Sequence, residues 1–344
     1  MIRHSIIFPS VNTAELQTEE ISMPSGTQVL VRTAYSTVSP GTERANITGD
    51  PSVAGGKSPQ VKFPRRLGYS SAGTVVAIGD EVTDVASGDR VVVFWGKHTD
   101  LNLVDRSRVV PIPDGISFRE AATVFIATFP MAAIRKTRLE AGESCLVMGL
   151  GLLGQFAVRI ARAAGAVPVI AVDPVEARRN DAMKGGADFA LDPFAPDFAE
   201  TVKELSHGGV NVAIEVTGQG AGLNEALDCM ARFGRVALLG CTRNKDFTVD
   251  YYRKVHFPGI TLIGAHTMAR PEFESSPGAF THTDDILALL RLTAGGRIDL
   301  KSMLSEVYDP AECGAVYDRL IHDPAFPMTV QFDWSKTETE VDEK

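Results

Sequence analysis

Gly149-Leu150-Gly151-Leu152-Leu153-Gly154 stands between the apolar run Cys145-Leu146-Val147-Met148 and a helix-like stretch from Gln155 to Ala164, and Asp173 closes a second apolar run, Val167 to Val172. Each part answers a separate physical need. Gly149 makes the tight turn out of a strand, Gly151 lets a ligand approach the backbone, and Gly154 lets helix and strand pack closely. The N-terminus of the helix that follows offers unsatisfied N–H groups and a positive dipole end to an anion. Asp173 is placed to accept both hydroxyls of an adenosine ribose and to repel a 2′-phosphate; Pro174 and Val175 follow it, with Arg178 and Arg179 one helical turn further on. The stretch therefore reads as a dinucleotide-binding fingerprint on a strand-turn-helix-strand unit. Gly149, Gly151, Leu152, Gly154 and Asp173 are the cofactor residues it predicts, and NAD is expected over NADP.

A chain of 344 residues, 44% hydrophobic and 22% charged, has room for two cores. Its net charge of -9 gives no basic footprint for nucleic acid and no polybasic patch for a membrane surface, so neither is an expected partner. The first residues open directly into a strand-like segment without an apolar leader, and no apolar run reaches the length of a membrane span, so a cytoplasmic location is expected. Cys145, Cys229, Cys241 and Cys313 form no CxxC pair and read as buried small hydrophobes.

From residue 1 to about 125 the apolar period is short and punctuated by turns, as in Gln28 to Tyr35, Ser71 to Ile78 and Asp89 to Phe94, which predicts a small β-barrel. Ser117, three residues before Glu120, then predicts a capping box and a long helix. From about Ile126 strands and helices alternate through Val210 to Val216, Arg235 to Leu239 and Thr261 to Gly264, which demands a parallel sheet with crossover helices. Asp284 to Leu292 and Pro310 to Ile321 read as amphipathic helices and Met328 to Phe332 as a last strand. The polar tail 335–344 is expected to be disordered.

These residues resemble the medium-chain dehydrogenase/reductase superfamily, the alcohol dehydrogenase-like proteins, over nearly the whole chain. The likeness is carried by Leu67-Gly68-Tyr69-Ser70-Ser71-Ala72-Gly73, Gly88-Asp89-Arg90-Val91, the Ala121-Ala122 helix, Glu140-Ala141-Gly142-Glu143 and the glycine fingerprint. It implies an α/β protein: a GroES-like β-barrel catalytic domain from 1–125 and 267–334, and a Rossmann doubly wound parallel sheet binding NAD at 126–266. It also implies a homodimer through the edge strand Ile260 to Ala265. Further cofactor contacts follow by position: Thr128 and Thr267 near the nicotinamide, Leu153 beneath its ring, Arg178 by the ribose, Val216 and Thr217 on the adenine side, and Leu239 and Gly240 at a strand end.

Most zinc-dependent members carry a Cys-Gly-(Ser/Thr)-Asp motif, a Gly-His-Glu motif and a further Cys. This chain has Pro40-Gly41-Thr42-Glu43, Gly68-Tyr69-Ser70 and, at the third place, Val124. No metal is expected, because proline, tyrosine and valine do not reproduce that ligand set. Ser39-Pro40-Gly41-Thr42-Glu43-Arg44 is similar to a zinc-lacking subgroup that includes bacteriochlorophyllide dehydrogenase-like and sugar- or polyol-linked members.

Hydride transfer to a carbonyl builds negative charge on oxygen, so a proton donor must stand in for the metal. Tyr69, Thr42 and Glu43 occupy or adjoin the lost ligand positions and are the first candidates: Tyr69 as acid, Thr42 as relay, Glu43 as an orienting acid. His266 is a candidate shuttle. Trp95, His98 and Arg270 are expected to line a pocket for a small-molecule substrate, and Lys57 and Lys62 to be solvated. The expected activity is zinc-independent, NAD(H)-dependent hydride transfer between nicotinamide and an alcohol/carbonyl pair, with a sugar or polyol-like substrate. An NADPH-dependent quinone or enone reductase and an inactive NAD-binding regulator are the alternatives.

Overall fold

The computed structural model describes residues 1–54, 61–242, 244 and 246–337. Lys57 and residues 338–344 of the tail lie outside the described residues. Two compact units are formed, one by Met1–Ile126 with the chain from Leu300 onward, the other by Ala127–Asp299. Residues 267–299, expected with the barrel, belong instead to the second unit. A part-buried ion pair between Arg135 and Asp285 at 2.7 Å helps fasten the helix His282–Ala294 to that unit.

The second unit is built on a six-stranded parallel sheet. Its spatial order is Phe189–Leu191, Val169–Val172, Cys145–Met148, Val210–Glu215, Met230–Leu238 and Thr261–Gly264. Cys145–Met148 comes first in the chain yet lies third, so the strand order reverses beside it. Ligands of open α/β sheets bind at such a reversal, outside the carboxyl ends of the strands. The central strands are apolar on both faces because helices cover both. Leu146, Ile170, Val172, Ala213 and Val236 are wholly buried there, with Phe198 and Val202 packed against them.

The first unit carries the antiparallel architecture. The ten-residue strand Gln28–Thr37 pairs with Ser70–Ile78, Leu101–Asp105 and Val330–Asp333, and a three-stranded sheet joins Glu15–Glu20, Ile2–Phe8 and Arg65–Arg66. Val29, Val31, Val75, Val91 and Val93 fill one core. A second core joins Phe8, Val38 and Ile47 from the start of the chain to Tyr317, Phe332 and Trp334 from its end. This is the physical cause of the split domain: without the last strand, the large side chains near the start would have nothing to bury against.

Two helices position site residues here. Helix α1 (Pro40–Ile47) starts with Ser39 in extended conformation and Pro40 at its first position, where a missing N–H costs nothing. Helix α2 (Phe118–Thr137) has the expected capping box, Ser117 N donating to Glu120 at 3.0 Å and Glu120 N to Ser117 Oγ at 3.3 Å. The tail differs from expectation over its first residues, since Trp334–Lys336 forms a turn of 3-10 helix capped by Asp333. Among the described residues, no helix is long and apolar enough to cross a membrane.

Candidate functional site

At the carboxyl edge of the parallel sheet, strand Cys145–Met148 runs into Gly149 at φ +97°, and helix α3 (Leu152–Ala163) follows with Gly151 at its N-cap. Gly151 provides no side-chain cap for α3, so the leading N–H groups of the helix have no capping side chain and are of the kind that suits an anion. The two later glycines of the fingerprint have different reasons to be there. A Cβ on Gly154 would lie 1.9 Å from the Gly149 carbonyl oxygen, so the chain itself forbids a side chain. A Cβ on Gly151 would meet nothing within 4 Å, and its φ of -67° suits any residue. Neither the neighbours nor the backbone angles of this residue require a glycine at 151, and its bare backbone is open to the close approach of a ligand.

Asp173 is nearly buried at 4% exposure. One carboxylate oxygen accepts the Leu150 amide at 2.8 Å, the other accepts the Val175 amide at 2.9 Å, and Arg178 Nη1 stands 3.6 Å away. The carboxylate thus ties the glycine turn to the neighbouring strand end, a role the sequence reading did not foresee. Glu215, also missed, does the same one strand over. It accepts the Thr217 amide at 2.7 Å, the Thr217 hydroxyl and the Gly218 amide at 3.1 Å, and burial pushes its carboxyl pKa up. Its own carbonyl accepts the Leu239 and Gly240 amides at 2.9 and 2.8 Å. Val216, Thr217, Leu239 and Gly240 thereby meet beside the fingerprint, because Val172 and Glu215 both register with Met148. Leu152 is buried and Leu153 half-buried at the start of α3.

Arg270 was expected in a substrate pocket, and the structure corrects this. Its side chain is 4% exposed, paired with Asp285 at 3.1 Å, and donates to the Thr128 carbonyl at 2.9 Å and the Thr267 carbonyl at 3.2 Å. A guanidinium so occupied holds chain segments together, and its buried side chain is spent mainly on protein partners. The Thr267 hydroxyl beside it is buried without a hydrogen-bond partner among the described residues, which suits a polar ligand atom there. His266 is exposed, its Nδ1 accepting the Met268 amide at 3.2 Å.

In the first unit, the Tyr69 phenol lies 2.5 Å from Ser39 Oγ, and the Tyr69 ring packs against Trp95 and Phe125 with centroids 5.5 and 5.8 Å away. Trp95 takes φ +53°, strained for a bulky residue, and is held by its amide donating to the Tyr69 carbonyl at 2.9 Å. Thr42 is exposed on α1. Glu43 and His98 do not reach the surface; they are 0% and 1% exposed. Glu43 accepts the Tyr317 hydroxyl at 2.5 Å, His98 Nε2 at 3.1 Å and the Ser39 amide at 2.9 Å. His98 Nδ1 meets Ser36 Oγ at 2.7 Å, and that oxygen accepts Trp334 Nε1–H at 2.8 Å. The expected pocket donor and orienting acid are therefore an internal chain joining α1 to the end of the protein, every member with a partner. Cys241 is likewise corrected: it is exposed just beyond Gly240, whereas the other three cysteines are buried.

A zinc ion does not fit these residues. Pro40 offers no donor, Val124 is a wholly buried apolar side chain, and the Tyr69 oxygen is engaged by Ser39. Among the described residues, no group of three or more histidine, cysteine, aspartate or glutamate side chains is arranged to hold a metal.

Comparison with known proteins gives two family matches: a model described as the alcohol dehydrogenase GroES-like domain over residues 25–114, and one described as zinc-binding dehydrogenase over 153–278. The chain is 30% identical to D-guloside 3-dehydrogenase of Escherichia coli K12 over a region that spans 60% of each protein. It is 31% identical to sorbitol dehydrogenase of Bacillus subtilis over 72% of this chain and 75% of that one. Benzyl alcohol dehydrogenase of Acinetobacter calcoaceticus shares the fold with a TM-score of 0.82 at 21% identity, covering 97% of this chain and 99% of that one.

Proposed function

Because this chain belongs to the alcohol dehydrogenase-like medium-chain dehydrogenase/reductase superfamily, we propose that it is a zinc-independent, NAD(H)-dependent oxidoreductase acting on a sugar or polyol-like alcohol and its carbonyl partner. The observation that carries the cofactor reading is Gly151, which stands in the fingerprint at the start of α3 although neither its neighbours nor its backbone angles call for a glycine. The fingerprint turn and the N-terminus of α3 hold the pyrophosphate, and Asp173 takes the adenosine ribose through the lone pairs its amide bonds leave over. The acidic group at that place favours NAD over NADP. A polyol substrate is supported by the sorbitol and D-guloside dehydrogenases among the relatives.

A bound nicotinamide supplies the hydride donor or acceptor. In the reducing direction the substrate carbon gains the hydride, the Tyr69 O–H bond breaks, and its proton passes to the substrate oxygen, leaving a phenolate that solvent reprotonates. Oxidation is the reverse, with the phenolate taking the alcohol proton. Tyr69 is the group for this role because its phenol, though also buried, is a proton-bearing hydroxyl held by another hydroxyl, Ser39 Oγ, whereas Glu43 and His98 are held by several buried partners each. A homodimer through the outer edge of Thr261–Gly264, the last strand of the sheet order, belongs to the same reading.

The test is a screen for NADH formation with sorbitol, galactitol, glucose, L-threonine and ethanol, repeated with NADP. Turnover of a polyol or sugar with NAD supports the proposal. Tight NADPH binding with turnover of enones and none of polyols would replace it, and NAD binding with no turnover of any substrate would make the protein a binding module.

A further inference from the structure

Ser39 occupies the N-cap of α1, the position where a serine hydroxyl ordinarily accepts a hydrogen bond from the amides of the first helical turn. Here it makes no such bond. Its oxygen faces Tyr69 Oη at 2.5 Å instead, and both residues are largely buried, Ser39 at 7% and Tyr69 at 9% exposure. The other half of the cap is retained by a different residue. Glu43 reaches back to accept the Ser39 amide at 2.9 Å, while the Glu43 amide donates to the Ser39 carbonyl at 2.8 Å. Both backbone groups of Ser39 are thus fixed from one residue, and Glu43 is itself fixed by Tyr317 and His98. A hydroxyl withdrawn from its local stabilising role, on a backbone held this firmly, marks a place where local rules yield to a site.

We infer that Ser39 is a positioning residue for the proton-transfer step: its hydroxyl sets the direction in which the Tyr69 phenol presents its proton. The inference rests on the reading of Tyr69 as the acid. While Tyr69 donates to Ser39 Oγ, the phenolic proton is parked. When that proton turns to the substrate oxygen, the serine hydroxyl rotates and donates to the phenol oxygen, so the ring oxygen keeps a partner throughout. No bond to Ser39 forms or breaks; one hydrogen bond reverses direction. Glu43 acts one step further back, by holding the Ser39 backbone.

The test compares Ser39→Ala, Ser39→Thr, Tyr69→Phe and the double variant Ser39→Ala/Tyr69→Phe, using the fastest-reacting polyol of the panel above. Ser39→Ala is expected to lower kcat about tenfold or more through misorientation of the acid, with KM for NAD unchanged and Ser39→Thr restoring most of the rate. In a Tyr69→Phe background the same substitution is expected to change kcat no further. A substrate-free arm uses thermal unfolding: the loss of Tm caused by Ser39→Ala disappears when residue 69 is phenylalanine, because among the described residues the serine hydroxyl has no second partner to lose. Ser39→Ala with full kcat, alongside a crippled Tyr69→Phe, would overturn the inference and leave the acid assignment standing. So would an equal Tm loss in both backgrounds, the signature of an ordinary cap. Full activity in Tyr69→Phe would instead remove the acid assignment, and this inference with it.

Discussion

The Asp173 carboxylate accepts the Leu150 amide at 2.8 Å, so the acid that the cofactor reading assigns to a ribose is already the clamp on the glycine turn. Replacing it removes both functions. Asp173→Ala is expected to weaken NAD binding by at least about tenfold, the loss of one charge-assisted hydrogen bond. The preference for NAD over NADP is expected to shrink, since Arg178 Nη1, 3.6 Å from Asp173, is then free for a 2′-phosphate. Titration of NADH and NADPH fluorescence on both proteins measures it; unchanged NADH affinity would exclude Asp173 from the site.

Gly151 and Gly154 separate ligand from fold. Gly154→Ala places a carbon 1.9 Å from the Gly149 carbonyl oxygen and is expected to destabilise the second unit by about 1–3 kcal/mol. Gly151→Ala meets no atom within 4 Å. It is expected to unfold at the wild-type temperature while losing dinucleotide affinity. Calorimetry with NADH titration checks the pair, and wild-type affinity in Gly151→Ala would refute the pyrophosphate cradle.

Glu43 carries the first unit's buried network. Glu43→Ala strands the Tyr317 hydroxyl, His98 Nε2 and the Ser39 amide in the interior, at an expected cost of about 3 kcal/mol or more. Glu43→Gln keeps the shape and some acceptors and is expected to cost less. Urea unfolding of the two variants decides; a neutral Glu43→Ala would mean that the network contributes little.

His282 predicts an acid limb in stability. Burial, with Arg270 adding to it, lowers the His282 pKa from 6.5 to about 3. The unfolded chain therefore binds more protons than the folded one between those values, so stability is full above about 6.5 and falls as the pH drops through the window. The slope is at most about 1.4 kcal/mol per pH unit from this group. His282→Gln is expected to flatten the limb between pH 6.5 and 3, and an unchanged limb in denaturation measured across that range would place the pH sensitivity elsewhere.

What was legible in the chain was local. The fingerprint and the Ser117-Glu120 cap are each written within a few residues, and the strands Cys145–Met148 and Thr261–Gly264 stand where the apolar runs put them. The fates of Glu43, His98 and Arg270 were not legible, because their partners are remote. Glu43 meets His98 across 55 residues and Tyr317 across 274, and Arg270 reaches Thr128 across 142. No window of sequence distinguishes an acid that faces a ligand from one that a distant tyrosine will bury. Helix α1 was missed for a related reason: its apolar positions form no clear stripe, and the one local signal was Ser39-Pro40 as cap and first helical residue.

The central claim is that hydride transfer proceeds here without zinc and with Tyr69 as the acid. Its most direct measurement is polyol-dependent NADH formation by protein dialysed against a chelator, with zinc content determined on the same sample and Tyr69→Phe run beside it. The account predicts full turnover at no measurable zinc, lowered about a hundredfold or more in Tyr69→Phe. Turnover that vanishes with the metal and returns when zinc is added back would contradict it.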